Sequence, residues 1–200
     1  MAKVIQFPKP NNVEKFGFRP VRVKGKPTKG KRGQLDLFSV GKVVSLNQLS
    51  RFEEALLLDD RGDAKAKDIY QRSIDEGDSV ADSYCNLGIL ESQTGNYTKA
   101  IDCFTKCLKE DPRHFEAHYN LANLYAEVGN LSLAKVHYGI SIEIEPHFPN
   151  SHFNLGLTLA MNKEIGEAVQ ALKSYCRLVS PKERGQAEEL IQTLSGSLGK

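Results

Sequence analysis

The chain has 200 residues, of which 40% are hydrophobic and 26% are charged, and its formal net charge is +2. This size fits one folded domain and a tail, since domains usually contain about 100–200 residues. The longest apolar runs contain only a few residues, far fewer than the roughly 20 that a membrane-spanning helix needs, so we expect no membrane segment. Pro8 and Pro10 interrupt the apolar start of the chain, which does not fit a secretory signal and predicts a cytoplasmic protein.

The first 45 residues are the most basic part of the chain. They contain eleven Lys and Arg against two acidic residues, whereas residues 46–200 contain sixteen against twenty-three. Because residues 1–33 are also rich in Pro and Gly and lack apolar periodicity, we expect residues 1–45 to form a disordered basic tail. Such a tail can neutralise phosphates, which favours a weak, salt-sensitive contact with nucleic acid; a solubilising linker is the alternative.

A pentapeptide in this tail, Gln34-Leu35-Asp36-Leu37-Phe38, has a pattern of its own. It resembles the QL(S/D)LF peptide with which bacterial replication and repair proteins dock on the DNA polymerase sliding clamp. The resemblance implies that Leu37 and Phe38 enter a preformed pocket while Gln34 hydrogen-bonds at its edge. The alternative is that the apolar side chains pack on the folded domain that follows.

The strongest signal in the chain is internal similarity at a spacing of 34 residues. Three units align, at 81–114, 115–148 and 149–182, and residues 46–80 form a degenerate fourth unit. The apolar positions of each unit recur at helical spacing and predict two helices per unit. A further amphipathic helix is predicted at residues 183–195.

The recurring residues have the roles expected of a helix-turn-helix unit. A small residue such as Gly88 follows a leucine in the first helix and lets the next helix approach closely. Gly95 and Gly129 stand where a first helix ends, because glycine adopts the left-handed conformation at little cost. Alanine and a large apolar residue one turn later mark the crossing of the two helices: Ala100 and Phe104, Ala134 and Tyr138, Ala168 and Leu172. Pro112 and Pro146 end the second helices.

This pattern resembles the tetratricopeptide-repeat (TPR) family. The resemblance implies an all-α TPR solenoid of antiparallel helix pairs, with three clear repeats, a degenerate N-terminal repeat and a C-terminal capping helix. The end of the third unit also resembles bacterial TPR domains linked to MerR-type regulators. Lys163 replaces the turn glycine of the third unit and its terminal Pro181 comes one residue late, and for these reasons we expect a distorted second helix there.

In the TPR family, the first helices line a groove that holds peptides, which implies an extended peptide or partner helix as the ligand. Asn86, Asn120 and Asn154 recur at one position, so their amides could form a ladder that suits a peptide backbone; alternatively, asparagine is simply frequent there. The candidate groove residues are Asn86, Tyr119, Asn120, Asn123, Phe153, Asn154 and Leu157. A clamp for acidic tails is not expected, because Glu116, Asn150 and Asn154 stand where such a clamp needs cations.

We predict no catalytic site, cofactor or metal in this chain. Cys103 and Cys107 lie one helical turn apart, but no histidine or second cysteine pair completes a ligand set beside them in the sequence. Neither a phosphate-binding loop nor a Ser/His/Asp set is evident. The sequence therefore predicts a non-catalytic scaffold for protein–protein interaction. The alternative function is a sliding-clamp- or DNA-associated factor tethered through its basic tail.

Overall fold

The computed structural model describes residues 49–198 of the chain, with side chains up to residue 196. The predicted basic tail and its pentapeptide, Gln34 to Phe38, lie outside the described residues. Within the described range the regular elements are nine α-helices and a short 3-10 helix at Pro181–Glu183. The α-helices are α1 Arg51–Asp60, α2 Ala66–Asp75, α3 Val80–Gln93, α4 Tyr97–Glu110, α5 Phe115–Glu127, α6 Leu131–Ile144, α7 Pro149–Met161, α8 Ile165–Leu178 and α9 Gly185–Leu198.

The described chain divides between Ala117 and His118 into two compact units. In the first unit, α1 packs on α2, α2 on α3 and α3 on α4. In the second unit, α6 packs on α7, α7 on α8 and α8 on α9. The predicted all-α fold of TPR helix pairs is confirmed. None of the described helices is long and apolar enough to cross a membrane.

The predicted crossing points of the helix pairs form the core. Ala100, Ala134 and Ala168 have no exposed surface, and neither do the large residues one turn later, Phe104, Tyr138 and Leu172. The C-terminal helix α9 extends this core by placing its apolar face, Ala187, Leu190 and Leu194, on α8. At the other end, Ser50 and Glu53 form a reciprocal capping box that begins α1.

The turns after the first helices of the repeats share one pattern of backbone hydrogen bonds. In the repeat at 81–114 the amide of Gly95 donates to Ser92 O (2.9 Å) and the amide of Asn96 donates to Glu91 O (2.9 Å). These two bonds satisfy carbonyls at the helix end and require a left-handed residue between them. Gly95 has a φ of 76° and Gly129, its counterpart, has a φ of 82°.

Lys163 occupies the same turn position in the third repeat, with a φ of 66°. Its amide donates to Ala160 O (3.1 Å) and the next amide, of Glu164, donates to Leu159 O (2.9 Å). The lysine therefore takes the conformation of the missing glycine. The expected distortion of the second helix is wrong, because α8 has 14 residues, as do α4 and α6.

We expect Lys163→Gly to raise the free energy of unfolding by about 0.5–1 kcal/mol. A left-handed conformation costs a non-glycine residue about 1–2 kcal/mol, and the greater freedom of glycine in the unfolded chain offsets part of the gain. The matched reverse variant is Gly129→Lys, since a Cβ at Gly129 meets nothing within 4 Å. Urea unfolding should show opposite shifts for the two variants. A loss of stability in Lys163→Gly would contradict the strain argument.

Candidate protein-binding site

Four polar side chains form a buried network in the second compact unit. Tyr119 and Asn123 lie on α5, Tyr138 lies on α6 and Asn154 lies on α7. The amide of Asn154 donates to the Tyr119 hydroxyl oxygen (3.1 Å) and to Asn123 Oδ1 (3.0 Å), and the Tyr138 hydroxyl donates to the same Oδ1 (2.5 Å). All four side chains are buried. The network joins α5, α6 and α7 through side-chain hydrogen bonds.

These contacts correct the predicted ladder of amides. Asn86 and Asn120 have no exposed surface, and Asn154 is 6% exposed. In the first compact unit, the amide of Asn86 donates to the Tyr70 hydroxyl (3.1 Å). Asn154 is bonded to Tyr119 and Asn123 as described above. The amides of Asn86 and Asn154 hold neighbouring helices together, and the three buried side chains do not present a row of donors and acceptors to a peptide.

Two of the predicted groove residues, Phe153 and Leu157, have half-buried side chains on α7. The ring of Phe153 lies 5.0 Å, between centroids, from the ring of Tyr175 on α8. Leu157 packs beside the cluster that contains Tyr119 and Tyr138. Because these side chains retain exposed apolar surface, they are the predicted groove residues best placed to contact a partner.

In the first compact unit, two carboxylates face the buried ring of His114. Asp82 Oδ1 lies 3.0 Å from Nε2, and Glu116 Oε2 lies 3.7 Å from Nδ1. Burial lowers the pKa of His114, but its hydrogen bonds with Asp82 and Cys107 outweigh burial and raise it. The amide of Ala117 also donates to Nδ1 (3.1 Å), which favours the neutral ring. The two influences oppose each other, so this end of the first helices carries at most one positive charge beside two carboxylates.

Next to this ring lie two cysteine thiols. The sulfur atoms of Cys85 and Cys107 and a nitrogen of His114 lie within 4.8 Å of one another, and all three residues are buried. In the sequence, Cys103 and Cys107 lie one helical turn apart without a histidine beside them. Helix packing instead brings Cys85 of α3 and the histidine of the following loop to Cys107, and no sequence spacing signalled this cluster.

A second histidine cluster lies between α5 and α6. Nδ1 of His118 is 2.9 Å from Nδ1 of His137, and the ring of His137 stacks on Tyr125 with centroids 5.6 Å apart. Burial and the neighbouring His118 lower the pKa of His137 to about 4. The contact between His118 and His137 joins residues of two different helices, and no sequence spacing indicates it.

Lowering the pH from about 7 to about 5 should therefore destabilise the wild-type protein more than His137→Gln. The unfolded state takes up a proton at His137 below about pH 6.5, whereas the folded state resists this until about pH 4. Stability from this residue is thus present above pH 6.5 and lost as the pH falls. Urea unfolding at both pH values measures the difference, and His147→Gln, at an exposed position, is the control. Equal pH dependence in wild type and His137→Gln would refute the assignment.

The paired helices, the shared turn and the buried crossing residues define a helical-hairpin repeat protein. A family model described as tetratricopeptide repeat matches residues 81–114, and a second model with the same description matches residues 103–135. Residues 81–135 therefore contain tetratricopeptide-repeat sequence. No curated protein matches it.

Solved structures with the same fold have low sequence identity to the chain. One described as the crystal structure of MamA protein is 17% identical, with a TM-score of 0.66, and the match covers 74% of this chain and 81% of that chain. The first TPR of Spaghetti (RPAP3) bound to HSP90 peptide SRMEEVD is 19% identical, with a TM-score of 0.56 and coverage of 60% and 94%. The Yersinia enterocolitica type III secretion translocator chaperone SycD is 17% identical, with a TM-score of 0.57 and coverage of 60% and 87%. At these identities the likeness establishes the fold.

Proposed function

We propose that this protein is a non-catalytic scaffold that binds a segment of another protein on the first helices of its TPR units. The observation that carries this proposal is the half-buried apolar pair Phe153 and Leu157 on α7, the first helix of its repeat. The side-chain amide of Asn154, on the same helix, is hydrogen-bonded within the protein. An apolar surface on a rigid helix pair can bind the side chains of an extended peptide or a partner helix. The peptide-bound RPAP3 domain, a structural neighbour, supports binding by this fold.

The charge of the first helices favours a neutral or basic partner segment. Asp82 and Glu116 lie in the first turns of α3 and α5, and the buried His114 compensates at most one of their charges. Bringing a further carboxylate to this place requires its partial desolvation beside like charges. The exposed Asn150, at the start of α7, adds no positive charge. A segment that carries lysine or arginine has the charge complementary to Asp82 and Glu116 of the first compact unit.

We therefore expect the acidic peptide SRMEEVD, which RPAP3 binds, to bind this protein with a Kd weaker than about 1 mM. Isothermal titration calorimetry at physiological salt measures this affinity. Glu116→Lys should strengthen the interaction, because it replaces repulsion with attraction. Low-micromolar binding that Glu116→Lys fails to strengthen would show that the acidic residues do not control the choice of partner.

A phage-displayed peptide library selected on the full-length protein tests the proposal itself. Selected peptides should lose most of their affinity for Phe153→Ala and Leu157→Ala variants that retain wild-type helicity. Val136→Ala is the matched control, since Val136 is 54% exposed on the second helix α6. If no peptide is enriched, or if binding depends on Val136 and not on Phe153 or Leu157, the first helices of the repeats are not the binding surface.

The pentapeptide Gln34 to Phe38 supports a second candidate function, docking on a DNA sliding clamp. Its support is the match of all five residues to the clamp-binding pattern. Interferometry with a bacterial sliding clamp should show micromolar binding that the Leu37→Ala/Phe38→Ala variant loses and Phe153→Ala retains. Absence of binding by the full-length protein would remove this candidate and leave the TPR surface as the place where partners bind.

A further inference from the structure

The cluster of Cys85, Cys107 and His114 draws on three separate elements of the first compact unit. Cys85 lies in the middle of α3, Cys107 lies near the end of α4, and His114 lies in the loop that precedes α5. The two cysteines have no exposed surface and His114 is 4% exposed. A bond from each residue to a common centre would therefore connect α3, α4 and the start of α5.

The dimensions of the cluster are those of a small metal site. Sulfur ligands lie about 2.3 Å from zinc and imidazole nitrogens about 2.0–2.1 Å, so two ligands of one tetrahedral ion are about 3.5–3.8 Å apart. The three donor atoms here already lie within 4.8 Å of one another. Closing the site around an ion requires side-chain shifts of about 1 Å, which fall within ordinary rotamer adjustment.

Asp82 provides the orienting contact that metal-bound histidines commonly have. It lies one turn before Cys85 on α3, and its Oδ1 is 3.0 Å from Nε2 of His114. A carboxylate in this position fixes the ring and increases the basicity of the nitrogen that binds the metal. The other ring nitrogen, Nδ1, accepts a bond from the amide of Ala117. An ion on Nδ1 displaces the amide of Ala117, and the contact between Nε2 and Asp82 then holds the ring in place.

We propose that Cys85, Cys107 and His114 bind a thiophilic closed-shell metal ion, Zn²⁺ or Cu⁺. Thiolates with imidazole select these ions over hard cations such as Mg²⁺ or Ca²⁺. Two sulfurs and one nitrogen complete a trigonal site for Cu⁺, whereas Zn²⁺ takes a fourth ligand. Each thiol loses its proton when its sulfur binds the ion, so occupancy of the site releases two protons to the buffer.

Full-length wild-type protein, reduced and freed of metal, gives the first test. Titration with Co²⁺, a spectroscopic substitute for Zn²⁺, should produce a sulfur-to-cobalt charge-transfer band that saturates at one ion per chain, and Zn²⁺ should abolish it. Competition with chelators of known affinity then gives the Kd for Zn²⁺ and, separately, for Cu⁺, and at least one should be below about 1 μM. Absence of the band together with weaker binding of both ions would overturn the proposal.

Thiol protection tests the same site without any substitution. Alkylation followed by mass spectrometry should show that a bound ion slows the reaction of Cys85 and Cys107 by about tenfold or more, because a coordinated thiolate is a poor nucleophile. Cys103 is buried on the same helix as Cys107 but lies outside the cluster, and Cys176 is half-buried on α8. These two cysteines should react at the same rate with and without metal. Equal protection of all four cysteines would indicate general stabilisation and would contradict a defined site.

Variants distinguish this site from the histidine pair His118 and His137, which could bind the same ions. Cys85→Ser and Cys107→Ser should each abolish the charge-transfer band, whereas Cys103→Ser and the double variant His118→Asn/His137→Gln should retain it. Circular dichroism establishes that each variant is folded. Persistence of the band in either of the first two variants would exclude the cluster as the metal site.

Discussion

Replacing Asn123 with alanine is expected to lower the free energy of unfolding by about 3 kcal/mol. Asn123 Oδ1 accepts hydrogen bonds from the Tyr138 hydroxyl (2.5 Å) and from the amide of Asn154 (3.0 Å). Each buried donor left without an acceptor costs about 1–3 kcal/mol, and the truncation adds a small cavity. Urea unfolding followed by circular dichroism measures the loss. Asn150→Ala, an exposed asparagine on α7, is the control and should change stability by less than about 0.5 kcal/mol.

A double-mutant cycle identifies the cause of this loss. Tyr138→Phe removes the hydroxyl that donates to Asn123. It should cost less in the Asn123→Ala background than in the wild type, because the hydroxyl has then already lost its acceptor. Strictly additive effects, or a loss below about 1 kcal/mol in Asn123→Ala, would show that the network contributes little to stability.

The second large effect is expected from Gly88→Ala, which should lower the free energy of unfolding by about 1–2 kcal/mol. A Cβ at Gly88 would lie 2.8 Å from Cε1 of Phe104, and that ring has no exposed surface into which it could move. Overpacking of this kind costs about 1–3 kcal/mol. The better helix propensity of alanine returns up to about 1 kcal/mol.

Gly139→Ala is the matched control, because Gly139 also lies inside a helix and a Cβ there meets nothing within 4 Å. This variant should gain about 0.5–1 kcal/mol in stability. Phe104→Leu should reduce the penalty of Gly88→Ala by making room for the methyl group. If both alanine variants are equally stabilised, the close approach of α3 and α4 does not restrict the size of the side chain at position 88.

The glycine turns and the helix pairs could be predicted from the sequence because they depend on residues close together in the chain. The backbone bonds around Gly95 join residues within five positions of each other, so the 34-residue pattern and the left-handed glycine suffice to predict them. Lys163 shows the limit of this reasoning. The missing glycine was evident, but the turn kept its shape, because its two backbone hydrogen bonds and the helices on either side impose the conformation on lysine.

The candidate binding residues could be predicted only in part. Phe153 and Leu157 were placed correctly on a first helix, and their role in binding stays a prediction. Asn86, Asn123 and Asn154 were assigned to a ligand, whereas the structure pairs them with Tyr70, Tyr138 and Tyr119. Repetition in a sequence shows that a position recurs but not whether its side chain faces solvent or a neighbouring helix.

The sequence by itself determined the TPR class, the four helical pairs and the residues at which three of these pairs cross, because helical periodicity and turn residues are local properties. Only the tertiary structure decided that the amides are buried and that Cys85 and Cys107 meet at His114. Those outcomes depend on how side chains from separate helices converge. The distance and orientation of packed helices determine which side chains meet. Residue spacing within one segment of the chain does not predict them.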